Sequence, residues 1–369
     1  MKRMKVAVYL AHPSQYHFLK NPINAWKKKG HEVIVIIRTK DILKDLLDFD
    51  QVPYIHILTK ERKGNTLAIQ YALIKRIMLL FFHLRSFKPD ILIGSDASLP
   101  VVARLLHARS ITALEDDYEV IKPLAMLTYP LTHVILTPYV CKVGKWEMKK
   151  VGYHGYMKLS ALHPNHFVAN HDIINALSEK KPYCLIRLSG LKAYHDRGKH
   201  GLSVAIVEKM IVICKKHGFR VWINAENALP VSLQQYQLTL HAAMMHHVLA
   251  GAKLLISDSQ SMSVEASMLG IPSLRFSDFA GKISVLEELE HTYHLTKGIS
   301  TDAPEALLKQ LDEWLQQVDL TERFRQRNLK MLQDKVDVAA FVTWFVEDYG
   351  TTHAMNNAEH RFLLVNCPS

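Results

Sequence analysis

One stretch constrains the fold more than any other. Residues 253–276, KLLISDSQSMSVEASMLGIPSLRF, read as strand, turn, helix, turn and strand. Leu254, Leu255 and Ile256 are a short apolar run suited to a buried strand. The polar turn from Ser257 to Gln260 offers Asp258 or Ser259 as a helix N-cap. A short helix over 261–269 follows, stopped by Gly270 with Pro272 just beyond, and Ser273 to Phe276 begin the next strand. Ser261 and Glu265 lie four apart and share one helix face. Unpaired N–H groups and the positive dipole end at such a helix start suit a phosphate. A carboxylate one turn further in accepts hydrogen bonds from a ribose diol. The alternative is that Glu265 is a solvated helix residue.

The rest of the chain repeats this strand–helix alternation. In the first half, strands are expected over 5–10, 31–37, 54–58, 91–94, 111–114 and 134–137, the last of that half. Helices are expected over about 21–29, 41–47, 66–87 and 99–107, with AHPSQYHF, carrying His12 and His17, left as a loop. VGYHGYMKLSALHPNHF, over 151–167, has no clear period and reads as a connection. The alternation then resumes, with strands over 183–188 and 220–224 and helices over 201–216, 240–250, 305–317 and 321–332. The apolar VDVAAFVTWFVEDY, over 336–349, reads as a closing helix. Repeated units of this kind imply an α/β fold of two doubly wound parallel-sheet domains, Rossmann-like, facing a central cleft. At 369 residues the chain is too long for one ordinary core. The expected division is 1–160, 161–335, a closing helix over 336–350 packing back on the first domain, and a tail over 351–369.

Composition narrows the class of partner. Almost half of the residues are hydrophobic, as in a globular protein. MKRMK running straight into VAVYL does not read as a signal peptide, and even the most apolar helical run, 77–82, is far short of a membrane span. Cys141, Cys184, Cys214 and Cys367 show no metal-binding or disulfide spacing, so a cytoplasmic protein with reduced thiols is expected. The net charge of +11 fits nucleic acid, an anionic membrane surface or phosphorylated substrates. No nucleic-acid motif is present, so nucleic acid is set aside. IKRIMLLFFHLRSFK, over 74–88, combines bulky apolar residues with four cations and a histidine. It would dock on an anionic membrane, at the inner face of the plasma membrane, if the substrate were lipid-linked. The plainer reading is a core helix whose cations face water.

Ligands of open α/β sheets sit beyond the carboxyl ends of the strands. His12, His17, Asp96 and the acidic cluster Glu115-Asp116-Asp117-Tyr118-Glu119 fall there in the first half. Arg187, Ser189, Glu226 and Asp258-Ser259 fall there in the second. In RLSGLKAYHD, Gly190 permits a tight turn, and Arg187 or His195 would neutralise phosphate charge. The spacing is not that of a P-loop, and an ordinary strand-to-helix loop is the alternative. Glu226 would contact base or ribose, or simply be a surface carboxylate. His246 and His247 cannot share a helix face, so a metal pair is not expected and His247 is chosen for the cleft.

The sequence resembles the bacterial and archaeal family called domain of unknown function 354, over about 4–349. The matching segments are HPSQYHF with GHEV, PDILIGSD, ALEDDYE, GYHGYMKLSALHPNHF, IRLSGLKAYHD, INAENALP, HHVLAGAKLLISDSQSMSVEASMLGIPSLRF and DKVDVAAFVTWFVEDY. Through the EAxxLGxP core the second half is similar to nucleotide-sugar enzymes of the GT-B type. One departure stands out: the family's Asp-Ser-Gly-Thr-Met turn is here Asp258-Ser259-Gln260-Ser261-Met262, bringing a side chain where glycine would let backbone approach a phosphate.

The resemblance implies a glycosyltransferase-like enzyme using a nucleotide-diphospho sugar, UDP-linked by expectation, in cell-surface polysaccharide or glycoconjugate synthesis. The acceptor would be a glycan or a lipid-linked glycan. It further implies that Glu265 holds the ribose and that Ser259, Ser261 and Met262 surround the diphosphate. The acceptor's general base would be Asp117 and Glu119 with His17 as partner, His12 and Asp96 being further candidates; a solvated acidic loop is the alternative. No metal and no cofactor beyond the nucleotide-sugar substrate is implied, no DxD-type turn being present at a donor site. The superfamily also includes UDP-N-acetylglucosamine 2-epimerases, whose acidic motifs are similar to Ser95-Asp96 and Leu114-Glu115, although the Gly after the second acid is missing. An epimerase or hydrolase is therefore one alternative. A non-catalytic sugar-nucleotide or partner-binding protein, favoured by Gln260, is another.

Overall fold

The computed structural model describes residues 3–38, 41–58, 66–179, 181–189, 201–278 and 281–351. The chain divides into two compact units, Met1–His166 with Val336–Ser369, and Phe167–Lys335.

The first unit runs β1 (Lys5–Leu10), α1 (Pro13–Lys28), β2 (Glu32–Arg38), α2 (Asp41–Phe49), β3 (Ile55–Leu58), α3 (Thr66–Leu84), β4 (Ile91–Gly94) and α4 (Ser98–Leu105). It continues through β5 (Arg109–Ala113), α5 (Lys122–Thr128), β6 (Val134–Pro138), β7 (Lys150–Tyr153) and α6 (Leu159–Leu162). Its sheet has the order β3-β2-β1-β4-β5-β6-β7 and every pairing is parallel. The second unit runs α7 (His171–Ser178), β8 (Tyr183–Leu188), α8 (Val204–Lys216), β9 (Arg220–Ala225), α9 (Met245–Ala250), β10 (Leu254–Ser257) and α10 (Gln260–Met268). It closes with β11 (Ser273–Phe276), α11 (Ser284–Glu287), β12 (Lys297–Ile299), α12 (Pro304–Gln316) and α13 (Leu320–Asp334). Its parallel sheet has the order β12-β11-β10-β8-β9. The chain then returns to the first unit as α14 (Val338–Thr351).

Each order reverses direction once, between β1 and β4 in the first sheet and between β8 and β10 in the second. At such a point the neighbouring connections leave on opposite faces, which opens a crevice beyond the strand ends. Gly94 ends β4 where a Cβ would lie 2.5 Å from the Tyr9 carbonyl oxygen and 2.7 Å from Leu99 Cδ1. Only glycine fits that approach without displacing backbone.

Two expectations are corrected. The AHPSQYHF segment is not a loop: α1 starts at Pro13, so His17 stands on a helix. His12 caps it by accepting from Ser14 N–H at 3.2 Å, and Pro13 occupies the first turn, where its missing N–H costs nothing. Pro22 lies inside α1. It removes the N–H that would bond the Phe18 carbonyl, and the Ser160 hydroxyl donates to that carbonyl instead. The second correction concerns residues 151–167, which are not merely a connection. They contribute most of β7, paired in parallel with β6, and then α6. Gly152 between buried Val151 and Tyr153 leaves too short an alternation to read from sequence.

Helix α14 packs on α1. Trp26 Nε1–H donates to the Thr343 carbonyl at 3.3 Å, and Lys29 Nζ lies 2.8 Å from Glu347 Oε2. Among the described residues no helix is long and apolar enough to cross a membrane.

Candidate functional site

In the second unit the register aligns Asn224, Arg187, Ser257, Arg275 and Gly298 in one row across β9, β8, β10, β11 and β12. Residues in register on parallel strands point to the same face. The row therefore sets two arginines on either side of Ser257, immediately before the turn into α10. Ser257 Oγ accepts from Ser259 N–H at 2.8 Å and shapes that turn. Ser259, not Asp258, is the N-cap: its backbone is extended and its hydroxyl accepts from Met262 N–H at 3.4 Å. The far end of α10 is equally determined. Gly270 follows the helix at φ +69°, and Asn328 Nδ2 donates to the Ser267 and Met268 carbonyls, each at 2.9 Å.

Asp258 is buried and holds the β8–α8 connection by both ends, accepting from Ser189 N–H at 2.6 Å and Leu202 N–H at 3.3 Å. Burial pushes its carboxyl up from the usual range, and these donors pull it partly back. Gly190 and His195 lie outside the described residues.

Glu265 is buried one turn into α10. The Ser261 hydroxyl donates to its Oε1 at 3.5 Å, and His246 Nε2 stands 3.7 Å from its Oε2. His246 therefore takes the place expected for His247. His247 faces the start of α7, accepting from Asn170 N–H at 3.1 Å and stacking on Phe167 at 5.0 Å between ring centroids. Adjacent helix positions point about 100° apart, so one residue of shift exchanges the two roles. Met262 is buried in the core beneath α10 with Leu255 and Ala266.

Arg187 and Glu226, expected as separate ligand contacts, meet each other: the guanidinium donates to Glu226 Oε1 and Asn224 Oδ1. Arg187 thus already has a carboxylate against its guanidinium. Gln260, the departure from the family turn, is tied toward β11. Its amide donates to Ser277 Oγ, and its Oε1 accepts from Arg275 Nη1 at 3.2 Å. Arg275 is wholly buried, with Nη2 3.2 Å from Glu290 Oε2. Burial draws its pKa down, and the Glu290 and Glu287 carboxylates counter that. Sequence reasoning weighed His246 but chose its neighbour, and it missed Arg275. An arginine inside the otherwise buried run SLRF was the available signal for it.

In the first unit Asp96, just past the end of β4, meets Arg76 of α3. Asp96 is buried, ion-paired with Arg76, and accepts from Ser98 N–H at 2.9 Å and Ser98 Oγ–H at 2.5 Å. Burial alone would raise its carboxyl, but Arg76 and Ser98 outweigh it and hold it below the usual range. Asp96 thus stays a carboxylate already occupied by a cation. Asp117 is buried and accepts from Lys142 N–H at 2.8 Å, which fixes the turn it sits in. Glu119 is a different kind of residue: its side chain is 78% exposed, 3.8 Å from Lys122 Nζ. Asp117 and Glu119 thus stand in different surroundings, one buried and one open to solvent. Glu115 is more enclosed, with Oε1 accepting from Met157 N–H at 2.5 Å and Lys158 Nζ 3.9 Å from Oε2. His17 is half-buried on α1, its ring 6.0 Å from that of Tyr16.

Among solved structures, a protein of Listeria monocytogenes named as a candidate UDP-N-acetylglucosamine 2-epimerase aligns with a TM-score of 0.69 at 14% identity, covering 96% of this chain and 98% of that one. The UDP-GlcNAc 2-epimerase of Neisseria meningitidis, bound to UDP-GlcNAc, aligns at 0.64 with 14% identity over 94% and 99%. Spinosyn forosaminyltransferase aligns at 0.61 with 13% identity over 95% and 100%. Two parallel-sheet α/β units with these neighbours define the GT-B fold shared by glycosyltransferases and nucleotide-sugar epimerases. More narrowly, the family model described as protein of unknown function (DUF354) matches residues 4–287, and the chain belongs to that family. No curated protein matches it in sequence.

Proposed function

We propose that the protein binds a nucleotide-diphospho sugar in its second unit and transfers the glycosyl group to an acceptor hydroxyl of a glycan or lipid-linked glycan. The observation that carries this reading is the start of α10. It stands at the reversal point of the sheet, capped by Ser259, with Ser261 and Glu265 on one face and His246 behind the Glu265 carboxylate. First-turn N–H groups have no partner within a helix and meet the diphosphate, while Glu265 accepts from the ribose diol. In the reaction the bond from the anomeric carbon to the diphosphate oxygen breaks and a bond to the acceptor oxygen forms. The acceptor proton passes to a general base, and the nucleoside diphosphate leaves as the anion that the helix start stabilises. Among the candidates named for the base we favour His17, because His12 caps α1, Asp96 is paired with Arg76, Asp117 is used in a turn and Glu119 is open to solvent.

An epimerase or hydrolase of the same fold is the second reading, favoured by Asp96 and Glu115 standing just past β4 and β5. Proton NMR of UDP-N-acetylglucosamine, UDP-glucose and their dTDP and GDP counterparts, incubated with the protein alone, separates the two. Glycosyl transfer predicts donors that stay intact until an acceptor is added. A new epimer, or free UDP without acceptor, replaces it with the second reading. If no donor binds or turns over with any acceptor, both fail.

A further inference from the structure

Helix α3 is rich in apolar residues, and over its described side chains only one side is covered. Leu80 and Leu84 are fully buried in the core of the first unit, together with Tyr9, Ile36 and Leu92. Arg76 points the same way, to its ion pair with Asp96. These three anchors fix the rotation of the helix. On the opposite side, Tyr71, Ile74, Met78 and Phe82 are 59%, 58%, 53% and 51% exposed. Their spacing of three, four and four residues puts all four in one stripe along the outer face. Large apolar side chains scattered singly on a surface need no explanation, but an aligned row of four on one helix marks a docking surface.

The charges beside the stripe identify the occupant. Lys75 and Arg85 flank it on the same outward arc, both exposed, and the Arg85 guanidinium lies 5.0 Å over the Phe82 ring. Exposed Lys88 follows the helix. From residue 66 to residue 88 the sequence contains no aspartate or glutamate. A protein partner or a second copy of this chain would meet the apolar row equally well, but nothing in those cases calls for an acid-free helix bordered by cations. An apolar stripe bordered by Lys and Arg is the make-up of a helix lying in the headgroup region of a membrane, with its cations among anionic lipids.

We infer that the outward face of α3 docks on an anionic lipid bilayer, the helix lying in the membrane plane with Tyr71, Ile74, Met78 and Phe82 at the acyl boundary. The test is flotation of the full chain with vesicles of phosphatidylcholine alone and of phosphatidylcholine mixed with phosphatidylglycerol. Binding is expected to the mixed vesicles and to fall as salt is raised. The double substitution Met78→Glu/Phe82→Glu is expected to lower the partition coefficient about tenfold or more, since it places charge at the acyl boundary. Lys75→Gln and Arg85→Gln should each lower it about fivefold. All of these side chains are exposed, so melting temperatures should stay at the wild-type value and a loss of binding is not a loss of folding. Absence of wild-type flotation with the mixed vesicles overturns the inference, and so does equal flotation of the Met78→Glu/Phe82→Glu variant. A wild-type dimer in light scattering that this variant converts to monomer, without vesicle binding, assigns the face to self-association instead.

Discussion

Arg275 is a wholly buried cation in the second unit, and its replacement tests the account of α10 quantitatively. Arg275→Met keeps most of the side-chain volume and removes the charge. The Glu290 carboxylate, mostly buried, is then left with the Gly298 N–H at 2.9 Å, and Gln260 Oε1 loses a donor at 3.2 Å. Breaking one side of a fully buried pair costs about 3–5 kcal/mol, and partial access of water to Glu290 brings the expectation here to about 2–4 kcal/mol. For a unit of this size that lowers its melting transition by about 5–12 °C. Scanning calorimetry should show the shift in one transition. Hydrogen exchange should place the loosening at β11 and the first turn of α10. The double variant Arg275→Met/Glu290→Gln should be more stable than the sum of its parts by at least about 1 kcal/mol, because the stranded carboxylate is gone. A single variant within about 0.5 kcal/mol of wild type, or strictly additive effects, would refute the reasoning.

Three further outcomes are expected. Gly94→Ala should lower the melting temperature of the first unit by a cost of about 1–3 kcal/mol, since its Cβ meets the Tyr9 carbonyl oxygen at 2.5 Å; an unchanged melt would show that β1 and β4 can part cheaply. Asp96 titrates below its unfolded value, so its stabilising contribution is complete above that value and is lost as pH falls through the lower folded one. Acid unfolding should accordingly be shallower in Asp96→Asn, as followed by circular dichroism. His246→Ala should weaken nucleotide binding with little change in stability. His247→Ala should do the reverse, costing about 1–2 kcal/mol by removing the acceptor of Asn170 N–H, and titration beside thermal melting distinguishes the two.

Strand–helix alternation was legible because buried parallel strands read as unbroken apolar runs. Ile91–Gly94 and Tyr183–Leu188 have the bounds their residues imply, and α10 lies within one residue of its expected limits. What misled were local signals cancelled by distant partners. Pro22 falls at the start of the helix expected over 21–29 but inside α1, where the Ser160 hydroxyl donates to the carbonyl it leaves without a partner. The short run KVGY becomes a strand only because β6 lies beside it. At the candidate site, the sequence located the chemistry-bearing residues at strand ends but could not say which were spent on one another. Arg187 with Glu226, and Asp96 with Arg76, are pairings between residues 39 and 20 positions apart. The choice between His246 and His247 turned on the helix phase of α9, which a one-turn preceding segment, Ala242–Met244, sets differently from a continuous helix.

The most direct test of the central claim is calorimetric titration of the purified full chain with UDP, then with GDP, CMP and dTDP, repeated on Glu265→Ala. The account predicts saturable binding of a nucleoside diphosphate. It also predicts a loss in the variant of about 10- to 100-fold, the loss expected when hydrogen bonds to a charged carboxylate are removed. No binding of any of these nucleotides by the wild-type protein, or equal binding by Glu265→Ala, would contradict it.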